Sequence, residues 1–212
     1  QWSEARAAFE RALSLRPGDV NALVYLAALR ARDGDTGLVE GLPGQLGPEQ
    51  VVQVRRWIRE WTPLGQELAD GPHPERAAAL FTVAVQLDPE ELWHRIHLGK
   101  AQAALGNRSA ALDQYRYVLE RFPEAPVTSD LVDELFMRNG DPEGRVACWQ
   151  HFVEEHPDVG SAYTRLGRAR FGDRQWSEAR AAFERALSLR PEDVDALVYL
   201  AALRAREGDR KS

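Results

Sequence analysis

Residues 1–35 and 175–209 are nearly the same sequence, and this repetition constrains the fold more than anything else in the chain. Three positions differ, Gly18 against Glu192, Asn21 against Asp195 and Asp33 against Glu207, and the other 32 of the 35 are identical. Identity at an offset of 174 residues marks a modular chain in which one module has been copied.

A shorter period runs inside the long one. Ala5, Phe9, Ala12 and Pro17 return as Ala179, Phe183, Ala186 and Pro191, and again as Ala77, Phe81, Ala84 and Pro89. Looser copies read Ala111, Tyr115, Val118, Pro123 and Arg145, Trp149, Phe152, Pro157. Pro89, Pro123, Pro157 and Pro191 stand 34 residues apart, whereas Pro17 and Pro89 are 72 apart, which is two periods and a four-residue insertion. Steps of four and three put the small and aromatic residues on one helical face, so that a neighbour can approach at the alanines while the ring fills the remaining space. Proline lacks the amide hydrogen a helix interior needs and ends each run. A second helical phrase follows most of these prolines, such as Leu23, Leu26, Ala27 or Tyr163, Leu166, Gly167.

This pattern resembles the tetratricopeptide repeat (TPR), a 34-residue helix-turn-helix unit. Trp61, Leu64, Gly65, Ala77, Phe81, Ala84 and Pro89 match all seven positions of the family pattern in one unit. The resemblance covers about four-fifths of the chain. It fails between Asp35 and Ile58, and Arg145 replaces the helix-B alanine of its unit, which argues against tight packing there. The resemblance implies an all-α fold, a right-handed α-solenoid of antiparallel helix pairs (a TPR-like superhelix), read as one elongated domain over 1–212.

Within that domain, 1–35 is a half-unit plus an A helix, 36–57 a degenerate unit carrying the insertion, 58–191 four TPR units, and 192–212 an unpaired A helix and tail. The regular part predicts B helices over 74–87, 108–121, 142–155 and 176–189, with A helices over 91–105, 127–138, 160–171 and 194–207. Asp141 before Pro142 is an N-cap carboxylate followed by proline at the first helical position. Gly37, Gly41, Pro43, Gly44 and Gly47 are too many breakers for a full B helix. Pro63 interrupts the helical run that begins at Pro48, and Trp57 and Trp61 read as core.

Twenty-seven basic against 33 acidic residues leave a formal charge of −6, and no basic stripe exists to displace counterions from phosphates, so nucleic acid is not an expected partner. A pentatricopeptide RNA reader, with its 35-residue period and basic groove, fits less well. Cys148 is the only cysteine, so no intrachain disulfide can form. No apolar run approaches the roughly 20 residues that span a bilayer. The chain starts at Gln1 within a repeat, the mark of a fragment or processed form, and both a cytoplasmic and a periplasmic setting stay open.

In TPR proteins the concave face, lined mainly by A helices, receives a peptide or partner helix. By matching positions, the resemblance places Arg59, Gln66, Trp93, Lys100, Asp130, Glu134, Met137, Thr164, Arg168 and Phe171 there, with Thr62, Ile96, Arg138 and Ser161 beside them. The lysine, asparagine and arginine clamp of chaperone-binding members is not expected, since Asn107 and Asn139 fall near turns. His94 and His97 lie one turn apart, but no third ligand follows in spacing, and surface or groove histidines are expected instead of a metal site. Glycines 41, 44 and 47 lack the strand and lysine of a phosphate loop, and Cys148 shows no activating neighbour. The expected function is therefore a non-catalytic interaction scaffold without cofactor or metal, binding a protein or peptide. The alternative is head-to-tail self-assembly into rings or filaments, through Trp2, Phe9 and Leu13 at one end and Leu197, Leu200 and Leu203 at the other.

Overall fold

The computed structural model describes the backbone of residues 2–209 and the side chains of 2–206. Residues 210–212 of the expected C-terminal tail lie outside the described residues. Thirteen α-helices, and no strand, occur among the described residues: α1 (Trp2–Leu15), α2 (Val20–Asp33), α3 (Gly37–Gln45), α4 (Pro48–Arg59), α5 (Thr62–Asp70), α6 (Pro74–Leu87), α7 (Leu92–Ala104), α8 (Arg108–Arg121), α9 (Pro126–Arg138), α10 (Pro142–Glu155), α11 (Gly160–Gly172), α12 (Trp176–Leu189) and α13 (Val194–Asp209). The four expected B helices coincide with α6, α8, α10 and α12. Tertiary contacts gather the chain into two compact units, Gln1–Arg116 and Tyr117–Ser212, with the boundary inside α8.

Local chemistry sets the helix ends. The Asp19 carboxylate accepts from the Ala22 amide at the start of α2, and Gly34 at φ 102° closes that helix by donating its N–H to the Ala31 and Arg30 carbonyls. Asp141 accepts from the Gly144 amide at 2.7 Å, and Pro142 follows at the first turn of α10.

In the first unit α2 is the centre, with Val24, Ala27 and Ala31 wholly buried and α1, α3, α4 and α6 packed around it. The breaker-rich stretch forms α3, nine residues long against the fourteen of α6, and Pro43 sits inside it. Val39 and Leu42 are fully buried in the same helix, so tertiary burial sustains a turn whose local hydrogen bonding proline has weakened. Pro63 falls in the first turn of α5, after a break at Glu60 and Trp61. Trp61 is buried in the core that Ile58, Leu68, Leu80 and Phe81 share, and Trp57 packs against that core.

In the second unit α12 packs between α11 and α13, and Ala179, Phe183, Ala186, Ala196, Leu200 and Leu203 form its apolar centre. Gly167 on α11 is required by the close approach of α12, since a Cβ there would lie 2.5 Å from the Phe183 ring.

The α9–α10 pair solves the same contact differently. One repeat before Gly167 stands Asp133, and Arg145 occupies the helix-B alanine position. Arg145 Nε donates to Asp133 Oδ1 at 2.7 Å, and Trp149 Nε1 donates to the same oxygen at 2.8 Å. Asp133 and Trp149 are both buried. The doubt about tight packing at Arg145 is borne out, since α9 and α10 approach each other less closely than α11 and α12 do, and the small glycine-alanine contact is replaced by an ion pair between half-buried Arg145 and buried Asp133.

Candidate functional site

In the first unit, α4, α5 and α7 enclose a cleft of about 410 Å³ lined by Arg59, Thr62, Gln66, Glu91, Trp93 and His97. The end of α4 delivers Arg59, whose Nε donates to Asp88 Oδ2 at 2.9 Å and lies 3.4 Å from Glu91 Oε2. The hydrogen bond to Asp88 holds the Arg59 guanidinium above its usual pKa, so its charge is permanent. Arg55 Nε donates to the Leu87 carbonyl and approaches the other Asp88 oxygen, so that buried carboxylate faces two cations. Trp93, at the start of α7, is 51% exposed and stacks on His97 with ring centroids 6.0 Å apart. The wall of the cleft is an aromatic face beside an amide, a hydroxyl and an ion-paired guanidinium, a combination able to hold an apolar side chain together with a peptide backbone.

The histidines are not at the surface. His94 and His97 are fully buried and pack around Phe81, with His97 stacked on that ring at 5.1 Å and His94 tilted at 6.4 Å. Surface placement is corrected for both by their position on the inner face of α7, alongside buried Ile96, Leu98 and Ala101, while His97, which also lines the cleft, agrees with the groove alternative. Burial lowers the pKa of His94, against the opposing pull of Glu91 and Asp88. Burial, then Lys100 and His94, lower that of His97 to about 4. Both rings are neutral near pH 7. Among the described residues no group of three or more His, Cys, Asp or Glu could hold a metal ion.

The same positional rule gives mixed results in the second unit. Thr164 is buried and donates its hydroxyl to Asp193 Oδ2 at 2.8 Å, while Asp193 also accepts from the Ala196 amide to cap α13. Phe171 is wedged edge-on against Trp176 and Tyr199, with centroids 5.1 and 5.0 Å away. Both side chains thus have packing partners within the unit, although Thr164 with Ser161 also lines a cleft of about 450 Å³ there and Phe171 stays half-buried. Arg168 lies 3.7 Å from Asp195, Asp130 accepts from Arg165 and Glu134 pairs with Arg138. Met137 is 67% exposed, and Lys100 in the first unit is half-buried. Arg59, Thr62, Gln66 and Trp93 are thus the expected residues that the cleft of the first unit brings together. Glu91 and His97 join them unexpectedly, although the four-residue step from Trp93 to His97 was a signal that they share a face.

Of the proposed self-association residues, Trp2 is exposed, and Phe9 and Leu13 are half-buried, with Phe9 stacked on Tyr25 at 5.1 Å. Leu197 is exposed. Leu200 and Leu203 are corrected: they point into the core of the second unit, against α12, and the bare apolar face of α13 is Val194, Leu197 and Val198.

Two tetratricopeptide repeat models match the sequence, one over residues 160–193, which holds α11 and α12, and one over 96–125, which holds most of α7 and all of α8. No curated protein matches the chain. Among solved structures, MamA from residue 41 onward of Desulfovibrio magneticus RS-1 is 22% identical over 74% of this chain and 87% of that one, with a TM-score of 0.47. A thermophilic TPR protein of Thermus thermophilus is 19% identical over 96% and 91%, at 0.43. A tetratricopeptide repeat protein of Parabacteroides merdae ATCC 43184 is 14% identical over 99% and 82%, at 0.42. Similarity at this level says nothing of what the chain binds. With repeated helix pairs, small residues at their crossings and two repeat models in agreement, residues 96–125 and 160–193 are tetratricopeptide repeats.

Proposed function

We propose that the chain is a non-catalytic scaffold that binds a peptide or partner protein on the concave face that A helices line in such arrays, with the cleft around Trp93 as its anchor point. The observation that carries this reading is a half-exposed tryptophan set beside Arg59 and Gln66. Large aromatic rings in partly desolvated pockets supply most of the energy in many interfaces. The test is selection from a displayed random-peptide library, followed by titration of the recovered peptides against the protein and its Trp93→Ala variant. The expected outcome is a loss of tenfold or more in affinity, about 1.4 kcal/mol. Peptides that bind the variant as well as the parent would remove the cleft from the interface.

A second reading, head-to-tail self-association, draws on the duplicated sequence. Trp2–Leu15 shows no buried residue, whereas the identical Trp176–Leu189 buries four against α11 and α13. Each bare face therefore has an internal precedent for being covered. Light scattering across a hundredfold dilution tests it: concentration-dependent assembly, abolished by Leu197→Glu with Val198→Glu, supports the reading. A mass near 23.8 kDa throughout overturns it.

A further inference from the structure

At the base of the Trp93 cleft lies a pair of histidines whose buried nitrogens neither reading uses. His94 and His97 sit one turn apart on α7, 0% and 1% exposed, and neither nitrogen of His94 nor Nδ1 of His97 has a hydrogen-bond partner. Buried polar atoms without partners are costly, and an apolar residue would fill the same space without that cost. We propose that these two histidines form a proton-operated latch: on acidification they take up protons, α7 separates from α6, and the cleft of the first unit is dismantled.

The packing gives the latch its physical basis, because a proton added at either nitrogen of His94 or at Nδ1 of His97 meets no hydrogen-bond acceptor. His94 and His97 lie against Phe81 of α6, and Trp93 covers His97 from the solvent side. The charged groups that reach His94 are Glu91 and Asp88, which favour its protonation, and Arg59 of α4, which opposes it. Those carboxylates are already engaged by Arg59, and Asp88 by Arg55 as well. At His97, Lys100 and His94 oppose protonation, and Asp70 at the end of α5 favours it. Desolvation outweighs all of these at both rings. The unfolded chain therefore binds protons first as pH falls through about 6.5. The folded unit loses stability from there down to about 4, where His97 protonates in place.

The latch rests on the α6–α7 packing and not on occupancy of the cleft, so the partner-binding reading can fail without it. Amide hydrogen exchange of the full chain from about pH 7.5 to about pH 4.5, corrected for intrinsic exchange rates, reads it directly. The opening constant of α6 and α7 should rise by up to about tenfold per pH unit for each histidine. The His94→Leu, His97→Phe double variant should flatten that slope, and an unchanged slope in the variant overturns the proposal. If the double variant does not fold, imidazole NMR of the parent protein decides: both rings should stay neutral until α6 and α7 lose protection. Either ring titrating near 6.5 with protection intact overturns it.

Discussion

Trp2–Leu15 and Trp176–Leu189 are the same fourteen residues, yet the first helix buries none of its side chains and the second buries Ala179, Ala182, Phe183 and Ala186. The helices that follow them invert the contrast. In α2 eight residues are buried, Val20 and Val24 among them, whereas their counterparts in α13, Val194 and Val198, are 68% and 60% exposed. The two copies fold into the same helix pair. What differs, among the described residues, is the neighbour: α11 lies against α12, and α3, α4 and α6 lie against α2, with no described helix in the matching place at α1 or α13. Helix formation here follows from the local sequence, and burial follows from what is placed next to it.

Paired substitutions at equivalent positions sharpen this contrast. Phe183→Ala should cost about 3–5 kcal/mol, because the ring is wholly buried over Gly167, while Phe9→Ala should cost about 1 kcal/mol, the worth of a half-buried ring stacked on Tyr25. Equal losses in denaturant unfolding would show that the α1 face is covered in solution, and would break the contrast. Next in size, Val24→Ser should lose about 2–3 kcal/mol, and Val198→Ser less than about 0.5 kcal/mol by the same measurement. A comparable loss at Val198 would mean that α13 acquires a neighbour.

The smallest effect lies at the caps. Asp19→Ala removes one N-cap bond, for about 1 kcal/mol, whereas Asp193→Ala also leaves the buried Thr164 hydroxyl with only a long 3.4 Å bond to the Gly160 carbonyl and should cost about 2 kcal/mol. Thr164→Val in the Asp193→Ala background should recover part of that difference in thermal unfolding, since it removes the weakly bonded hydroxyl. No recovery would mean that the Thr164 bond adds nothing beyond the cap.

Much of the architecture was legible without coordinates. Pro74, Pro142 and the four- and three-residue steps place the B helices, because proline and face periodicity act within one turn of the residues that carry them. The nine-residue α3 was harder to read, since the burial of Val39 and Leu42 outweighs local breakers. Arg145 departs from the repeat and keeps α9 and α10 further apart, as its size implies, but its hydrogen bond to Asp133, twelve residues away, is not written in the repeat pattern. The site was partly legible for the same reason: helix position brought Arg59, Gln66 and Trp93 together, but equivalent positions put Thr164 and Phe171 into contacts with later helices.

The sequence by itself determined the helix pairs, their caps and their 34-residue spacing, because hydrogen bonding and backbone preference within a turn depend on near neighbours along the chain. Only the tertiary structure decided which of two identical faces is buried, where Asp133 finds its cations, and that both nitrogens of His94 and Nδ1 of His97 are buried without hydrogen-bond partners. Those outcomes depend on desolvation and contact between helices far apart in sequence, which no local pattern encodes.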